Sequence, residues 1–215
     1  MISEKLKTRK EFLRELSLIT GGAFVPAGLL SRSGKSGKLK ARLGLVTYLW
    51  AKDWDIPTLI KNCSATGMLG VELREQHAHG VGTDLSVEKR IEVKKRFADS
   101  PVILVGLGTN QQYDYPDQDQ LKESITRTKE WLKLSVDIGA SGVKVKPNQF
   151  HKNVPKEKTI EQIGKALNEL GEFAIEQGQL IRLEVHGQET SLLPNIRAMM
   201  DFVENRGVKV CWNSN

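Results

Sequence analysis

The sequence has little cysteine and no long apolar run, and each absence excludes a class of protein. Its 215 residues include two cysteines, Cys63 and Cys211, which lie far apart and outside any C-x-x-C pattern. Neither a disulfide framework nor a thiolate zinc site is therefore predicted. No apolar run reaches the roughly 18–20 residues of a membrane span. The chain also lacks a G-x-G-x-x-G segment and a P-loop lysine motif, the usual signatures of nucleotide-binding sheets.

The net positive charge of the chain comes entirely from its N-terminal part. The net charge is +6, and residues 1–40 hold nine basic and three acidic residues, whereas residues 41–215 hold 23 of each. The globular part is therefore neutral. Because binding to a phosphate backbone needs a basic surface, no nucleic-acid partner is predicted.

The first 27 residues have the order of a secretory signal. A basic segment at 5–14 precedes an apolar run at 16–25 and the small residue Ala27. Residues 8–13, Thr-Arg-Lys-Glu-Phe-Leu, resemble the twin-arginine export motif S/T-R-R-x-F-L, with Lys10 in place of the second arginine. Export to the periplasm is expected, and a plain amphipathic helix on a cytoplasmic protein is the alternative. Residues 28–41 are predicted to be a flexible Gly/Ser/Lys linker before a domain at 42–215.

From residue 43 onward, apolar strand-like runs alternate with longer amphipathic segments. The predicted strands are 43–50, 69–74, 102–107, 142–146, 180–186 and 208–212, and the predicted helices are 56–66, 86–100, 119–138, 159–177 and 193–205. Ser86 is the expected N-cap of the second helix. Such alternation predicts parallel β/α units and a (β/α)8 TIM barrel, with an open doubly wound sheet as the alternative.

The strand count stops at six, although a closed barrel has eight units and typically about 250 residues. The sequence is therefore expected to be C-terminally truncated. Open sheet edges at strands one and six would favour association, so a homo-oligomer is also compatible with the sequence.

Several strands carry charge on one face. In the fifth, Ile181, Leu183 and Val185 alternate with polar residues, and a strand has a side-chain period of two. The polar residues predicted to face the barrel interior are Glu72, Arg74, Lys144, Lys146, Arg182, Glu184 and His186. Buried charges must pair with one another or bind a ligand or metal, because desolvating each costs several kcal/mol. The third strand is apolar on both faces and is predicted to be purely structural.

Three segments carry a family resemblance. Leu183-Glu184-Val185-His186-Gly187 is similar to the fifth-strand E-x-H-G motif of the xylose isomerase-like TIM-barrel superfamily. The segments Gly70-Val71-Glu72-Leu73-Arg74, with the following His77-Ala78-His79-Gly80-Val81, and 208–215 extend the resemblance. The superfamily includes sugar and sugar-phosphate isomerases, ketose 3-epimerases and endonuclease IV.

The resemblance implies one divalent metal ion, Mn²⁺, Mg²⁺, Co²⁺ or Zn²⁺. Glu184 matches the ligand from strand five, and Asn213 stands where the family has an Asp on strand six; two further ligands belong to strands seven and eight. A metal would polarise a sugar carbonyl, and Glu184 would act as catalytic acid/base through an enediolate. Because a neutral amide is a weaker ligand than a carboxylate, Asn213 puts metal affinity in question.

Substrate contacts are predicted from the polar and aromatic residues at the strand ends. His77 and His79 follow strand two and are predicted to contact sugar hydroxyls, with metal ligation or simple solvation as alternatives. Trp50 and Trp212 are predicted to form an apolar wall against a sugar, with core packing as the alternative. His151 is predicted at the surface. The predicted substrate-binding residues are His186, His77, His79, Glu72, Arg74, Lys146, Trp50 and Trp212.

These residues predict a metal-dependent sugar or sugar-phosphate isomerase or epimerase. The 215 residues alone are expected to be inactive, because half of the implied metal ligands are absent. A catalytically weak or inactive carbohydrate-binding barrel is the first alternative, and Asn213 is its main support. An endonuclease IV-like enzyme is less favoured, because the chain has four histidines and a neutral domain.

Overall fold

Strands and helices alternate throughout residues 42–212, the part of the chain that the computed structural model describes. The predicted signal at 1–27, the predicted linker at 28–41 and Asn213 lie outside these residues. The strands are β1 Gly44–Val46, β2 Gly70–Arg74, β3 Ile103–Gln112, β4 Val143–Lys146, β5 Ile181–Glu184 and β6 Val208–Cys211. The helices are α1 Ile56–Thr66, α2 Val87–Ala98, α3 Gln118–Asp137, α4 Lys156–Glu176 and α5 Leu193–Met200. In this range, no helix is long and apolar enough to cross a membrane.

The strands form one sheet in which every neighbouring pair is parallel. Their spatial order is the chain order, β1 to β6. A doubly wound sheet reverses its strand order at a switch point, so this alternative is excluded. The predicted TIM-barrel-type α/β fold is confirmed, and the described strands form an incomplete barrel, six of the eight strands of a closed one.

The core lies between the outer face of the sheet and the helices. Val71, Leu73, Val143, Ile181 and Leu183 are at most 1% exposed. These are the apolar positions that the period of two assigns to the helix-facing side. Burial of each such side chain stabilises the fold by about 1.5–3 kcal/mol. The alternation in the sequence therefore fixes which strand face carries the charged residues.

Side-chain caps mark the starts of α1 and α2. Asp55 accepts a hydrogen bond from the Thr58 N–H at 2.9 Å, and Ser86 accepts one from the Lys89 N–H at 3.4 Å. Ser86 is the predicted N-cap, and the structure confirms it. Each cap satisfies a backbone donor that the first helical turn leaves without a partner.

Three predicted elements differ from those observed by four or more residues at one end. β1 ends at Val46, because the chain turns there and the Tyr48 N–H donates to the Val46 carbonyl at 2.7 Å. α5 ends at Met200; beyond it, the Glu204 N–H donates to Asn168 Oδ1 instead of to a helical carbonyl, and the Asn205 side-chain amide donates to the same oxygen. β3 runs on to Gln112, five residues beyond its predicted end.

Candidate functional site

A buried ion triad joins three strands on the inner face of the sheet. Lys144 of β4 places its Nζ 2.7 Å from Glu72 Oε1 of β2 and 3.4 Å from Glu184 Oε1 of β5. The three side chains are 4%, 14% and 7% exposed in that order. Burial alone would lower the pKa of Lys144, but the two carboxylates outweigh it and raise the pKa above its ordinary value. The ammonium is therefore held charged between two carboxylates.

Two glycines on β3 make room for these side chains. A Cβ on Gly108 would lie 2.8 Å from Glu72 Oε1, and one on Gly106 would lie 3.1 Å from an Arg182 guanidinium nitrogen. Arg182 in turn donates to Ser141 Oγ at 2.8 Å. The bare inner face of β3 lets Glu72 of β2 and Lys144 of β4 meet across it, and this role of β3 is a structural one. Ile103 and Val105, lower on the same strand, are 56% and 41% exposed.

A second cluster lies at the carboxyl ends of β2, β3 and β4. Arg74 Nη2 and Lys146 Nζ both donate to Asn110 Oδ1, at 2.8 Å and 3.0 Å. The two cations are therefore no more than about 6 Å apart, and their repulsion is about 3 kcal/mol at an effective dielectric constant near 20. Burial and the charge of Arg74 lower the pKa of Lys146. Arg74 also lies 5.3 Å from the centre of the Tyr48 ring.

The two histidines after β2 have different environments. His77 Nδ1 lies 3.1 Å from Thr47 Oγ1, and burial, then the charge of Arg74, lowers the pKa of its imidazole. The buried His79 accepts from the Val81 N–H through Nδ1 at 3.0 Å and donates from Nε2 to the Arg74 carbonyl at 2.8 Å. Both nitrogens of His79 are occupied by backbone, so in this arrangement it orders the loop. His77 lies beside the second cluster.

The remaining predicted residues lie around the same end of the strands. His186 follows β5; its carbonyl accepts from Thr190 Oγ1 at 2.9 Å, and its buried Nδ1 has no hydrogen-bond partner within residues 42–212. Trp50 and Trp212 are 75% and 65% exposed in the incomplete barrel, so neither packs into the core formed by residues 42–212. They follow β1 and β6, the two edges of the described sheet.

Two groups of polar residues were missed by the sequence reasoning. Asn110 shares the inward side of β3 with Gly108, and extending the period of two past Leu107 would have found it. His151, predicted at the surface, instead places Nε2 3.0 Å from Oδ2 of the buried Asp114, which also accepts from Asn148 Nδ2 at 3.0 Å. That pairing joins the loops after β3 and β4, and no short-range pattern in the sequence indicates it.

The described residues do not by themselves supply a metal centre. Glu184 is a hard oxygen donor at the end of β5, but Lys144 is the cation beside it. Within residues 42–212, no three His, Cys, Asp or Glu side chains are grouped so that they could hold an ion. Asn213, the second predicted ligand, lies outside this range.

Parallel β/α units whose charged side chains converge at the carboxyl ends of the strands define a TIM-barrel-like α/β protein. The model of the family described as xylose isomerase-like TIM barrel matches residues 60–214. The chain therefore belongs to this family, and the predicted resemblance is confirmed. No curated protein matches the chain.

Several solved structures share the fold. The 3-keto-D-glucoside 4-epimerase YcjR of E. coli is 13% identical with a TM-score of 0.66, and the match covers 80% of this chain and 68% of YcjR. The IolI protein with a bound zinc atom is 17% identical with a TM-score of 0.67, covering 79% of this chain and 62% of IolI. The D-psicose 3-epimerase of Clostridium cellulolyticum H10, solved with D-tagatose, is 17% identical with a TM-score of 0.66, covering 80% and 63%. At these identities the likeness shows the fold, and the chain spans less than two thirds of the last two proteins.

Proposed function

We propose that this chain belongs to an enzyme that isomerises or epimerises a small sugar or sugar phosphate by proton transfer, with Glu184 as acid/base. The observation that carries the proposal is the position of Glu184, a buried carboxylate at the carboxyl end of β5 beside the Lys144 ammonium. Active sites of TIM barrels lie at this end of the strands. Two structural neighbours are named as sugar epimerases, which supports a sugar as substrate.

The proposed reaction begins with removal of a proton from the carbon next to the sugar carbonyl. Glu184 accepts that proton, and the electron pair of the broken C–H bond moves onto the carbonyl oxygen to form an enediolate. Preorganised cations stabilise such a developing negative charge in a site that excludes water. Return of the proton to the neighbouring carbon, with transfer of the hydroxyl proton to the former carbonyl oxygen, gives an isomerase. Return to the opposite face of the same carbon, from a second group, gives an epimerase.

The proposal includes one divalent metal ion, Mn²⁺, Mg²⁺, Co²⁺ or Zn²⁺, with Glu184 and Asn213 as two of its ligands. The zinc atom of the IolI protein supports a metal in a related barrel. Metal analysis of the purified protein tests this part separately, because the ion is measured without turnover. Retention of full metal content in Glu184→Gln would overturn the assignment of Glu184 as a ligand.

Solvent deuterium exchange tests the proton transfer directly. The purified protein is incubated in D₂O with a panel of aldoses, ketoses and their phosphates, and deuterium in the sugar is followed by NMR. We expect exchange at the carbon next to the carbonyl, and a loss of about 10²–10⁴-fold in Glu184→Gln, the usual size of a general acid/base contribution.

One control variant and two contrary outcomes decide how the exchange experiment is interpreted. Glu169→Gln also replaces a carboxylate by an amide, but in the exposed Lys129–Glu169 ion pair away from the site. It should leave deuterium exchange unchanged. Exchange that persists in Glu184→Gln would refute the role of Glu184. Sugar binding without exchange in the unmutated protein would favour the carbohydrate-binding barrel.

A further inference from the structure

We propose that Arg74, Asn110 and Lys146 form an anion-binding site at the carboxyl ends of β2, β3 and β4, and that the substrate carries a phosphate or carboxylate group. The inference rests on the proposed function for the sugar part of the ligand. The anion-binding part rests on the described side chains alone.

Two cations converge on one neutral oxygen in this site. Arg74 Nη2 and Lys146 Nζ reach Asn110 Oδ1 at 2.8 Å and 3.0 Å, and among residues 42–212 neither forms a salt bridge with a carboxylate. Half-buried cations normally acquire a counter-charge. The guanidinium presents five N–H donors in a planar fork and the ammonium presents three, so several donors remain for the oxygens of an anion.

The neighbouring carboxylates offset this positive charge only in part. Glu72 and Glu184 both contact Lys144. Glu75 uses Oε1 to accept the Asn110 backbone N–H at 2.8 Å, which holds the end of β3 in place. Burial and the charge of Arg74 lower the pKa of Lys146 although the charges of Glu184 and Glu75 act in the opposite direction, so the two carboxylates do not outweigh the burial and the repulsion. An added anion would relieve that repulsion.

The site is also well placed relative to the proposed acid/base. Lys144 and Lys146 are two residues apart on β4 and point to the same face, so their backbone positions are about 6–7 Å apart along the strand. Lys144 contacts Glu184. An anionic group held at Lys146 would therefore leave the carbon chain of a small sugar to extend towards Glu184. The cluster would bind one end of the substrate, and β5 would act on the other.

Binding measurements on the full chain test the ligand class. Calorimetry compares inorganic phosphate, a hexose 6-phosphate, a hexuronate and the neutral hexose. We expect the hexose phosphate or the hexuronate to bind at least about tenfold more tightly than the neutral hexose, since a hydrogen bond to a charged group contributes about 1.5–3 kcal/mol. Lys146→Met should weaken the anionic ligands by about 10–100-fold. Lys152→Met, an exposed lysine in the following loop, should leave their binding unchanged.

A second variant tests the site through stability. Asn110→Asp places a carboxylate of the same shape between the two cations, so it should raise the unfolding temperature by about 2–4 °C and abolish the rise that phosphate gives to the unmutated protein. Asn153→Asp makes the same change on an exposed loop residue and should do neither. A fall in the unfolding temperature of Asn110→Asp would contradict the charge argument.

The ligand panel also separates the two sources of anion and the two proposals. Tighter binding of hexose phosphate indicates a phosphate ester, and tighter binding of hexuronate indicates a sugar acid; either result supports the site. Equal affinity for charged and neutral sugars, no binding of any anion, or anion binding that is unchanged in Lys146→Met would overturn it. Anion binding without deuterium exchange would refute the proposed function and leave the site intact. Deuterium exchange into neutral sugars alone would support the proposed function and refute the anion-binding site.

Discussion

Replacing Lys144 by Met should destabilise the protein strongly, because Lys144 is the cation between two buried carboxylates. Its Nζ lies 2.7 Å from Glu72 and 3.4 Å from Glu184, and its side chain is 4% exposed. Met has a similar length and is apolar, so the change removes the charge and creates no large cavity. The variant therefore measures the effect of the ion triad rather than a packing defect.

The expected loss is about 3–5 kcal/mol of unfolding free energy, the usual cost of removing one partner from a buried ion pair. The Coulomb attraction of the ammonium to either carboxylate is about 5–6 kcal/mol at an effective dielectric constant of 20, and the cost of desolvating three charges offsets part of it. Without the ammonium, two carboxylates within about 6 Å of each other would repel by about 3 kcal/mol. A typical domain has only 5–15 kcal/mol of stability, so the variant should be close to unfolding.

Urea unfolding followed by circular dichroism measures the difference, with the midpoint and slope fitted for each variant. Lys129→Met is the matched control: its ammonium lies 2.6 Å from Glu169, but the two side chains are 32% and 51% exposed. Removal of that surface pair should cost less than about 1 kcal/mol. If the unfolding free energy of Lys144→Met lay within about 1 kcal/mol of that of the unmutated protein, the triad would not be a stabilising ion network. That result would refute the argument from the buried charges.

The same triad predicts a loss of stability at alkaline pH. The pKa of Lys144 is raised above its ordinary 10.5, because Glu72 and Glu184 outweigh its burial. A raised pKa in the folded state means that its contribution is complete below the unfolded pKa and is lost as the pH rises through the folded one. The difference in unfolding free energy between the unmutated protein and Lys144→Met should therefore shrink above pH 10.5. A difference that stayed constant to about pH 12 would contradict this linkage.

Two further predictions concern residues that shape the site. Gly108→Ala should lower stability by about 1–3 kcal/mol in urea unfolding, because the added Cβ would lie 2.8 Å from Glu72 Oε1; an unchanged midpoint would show that Glu72 can move away freely. Burial lowers the pKa of His79 below 6.5, so its contribution to stability is present above that pH and is lost as the pH falls through the folded pKa. The unfolding temperature should therefore fall between about pH 6.5 and 5, and less steeply in His79→Gln; parallel curves would exclude His79 as the titrating group.

The architecture could be predicted from the sequence because burial in this fold follows short periods. Val71 and Leu73 are buried and Glu72 lies between them on the opposite face, as an alternating strand requires. Ser86 signals the start of α2 by its own hydrogen-bonding chemistry. These signals are local, so they need no knowledge of neighbouring strands. They were sufficient to predict the order of the elements and the charged face of the sheet.

The course of β3 and the pairing of charges could not be predicted in this way. Gly106 and Gly108 have low strand propensity, yet Gly106 pairs with Glu72 of β2, and Gly108 pairs with Arg74 of β2 and Lys144 of β4. Whether Lys144 meets Glu72 or a ligand depends on the space that Gly108 leaves between two strands that are not neighbours. Such a contact is decided by register and curvature, and no single segment contains that information.

The two lysines of β4 differ in whether a contribution to stability explains their position on the charged face. Lys144 is neutralised by two carboxylates, so its burial is consistent with a stable core. Lys146 instead shares a neutral amide oxygen with Arg74, an arrangement in which two cations repel each other. An aspartate at position 110 would remove that repulsion with no change of shape. A cost of this kind at the carboxyl end of parallel strands is typical of a functional site. We therefore expect the counter-charge for Arg74 and Lys146 to come from the ligand.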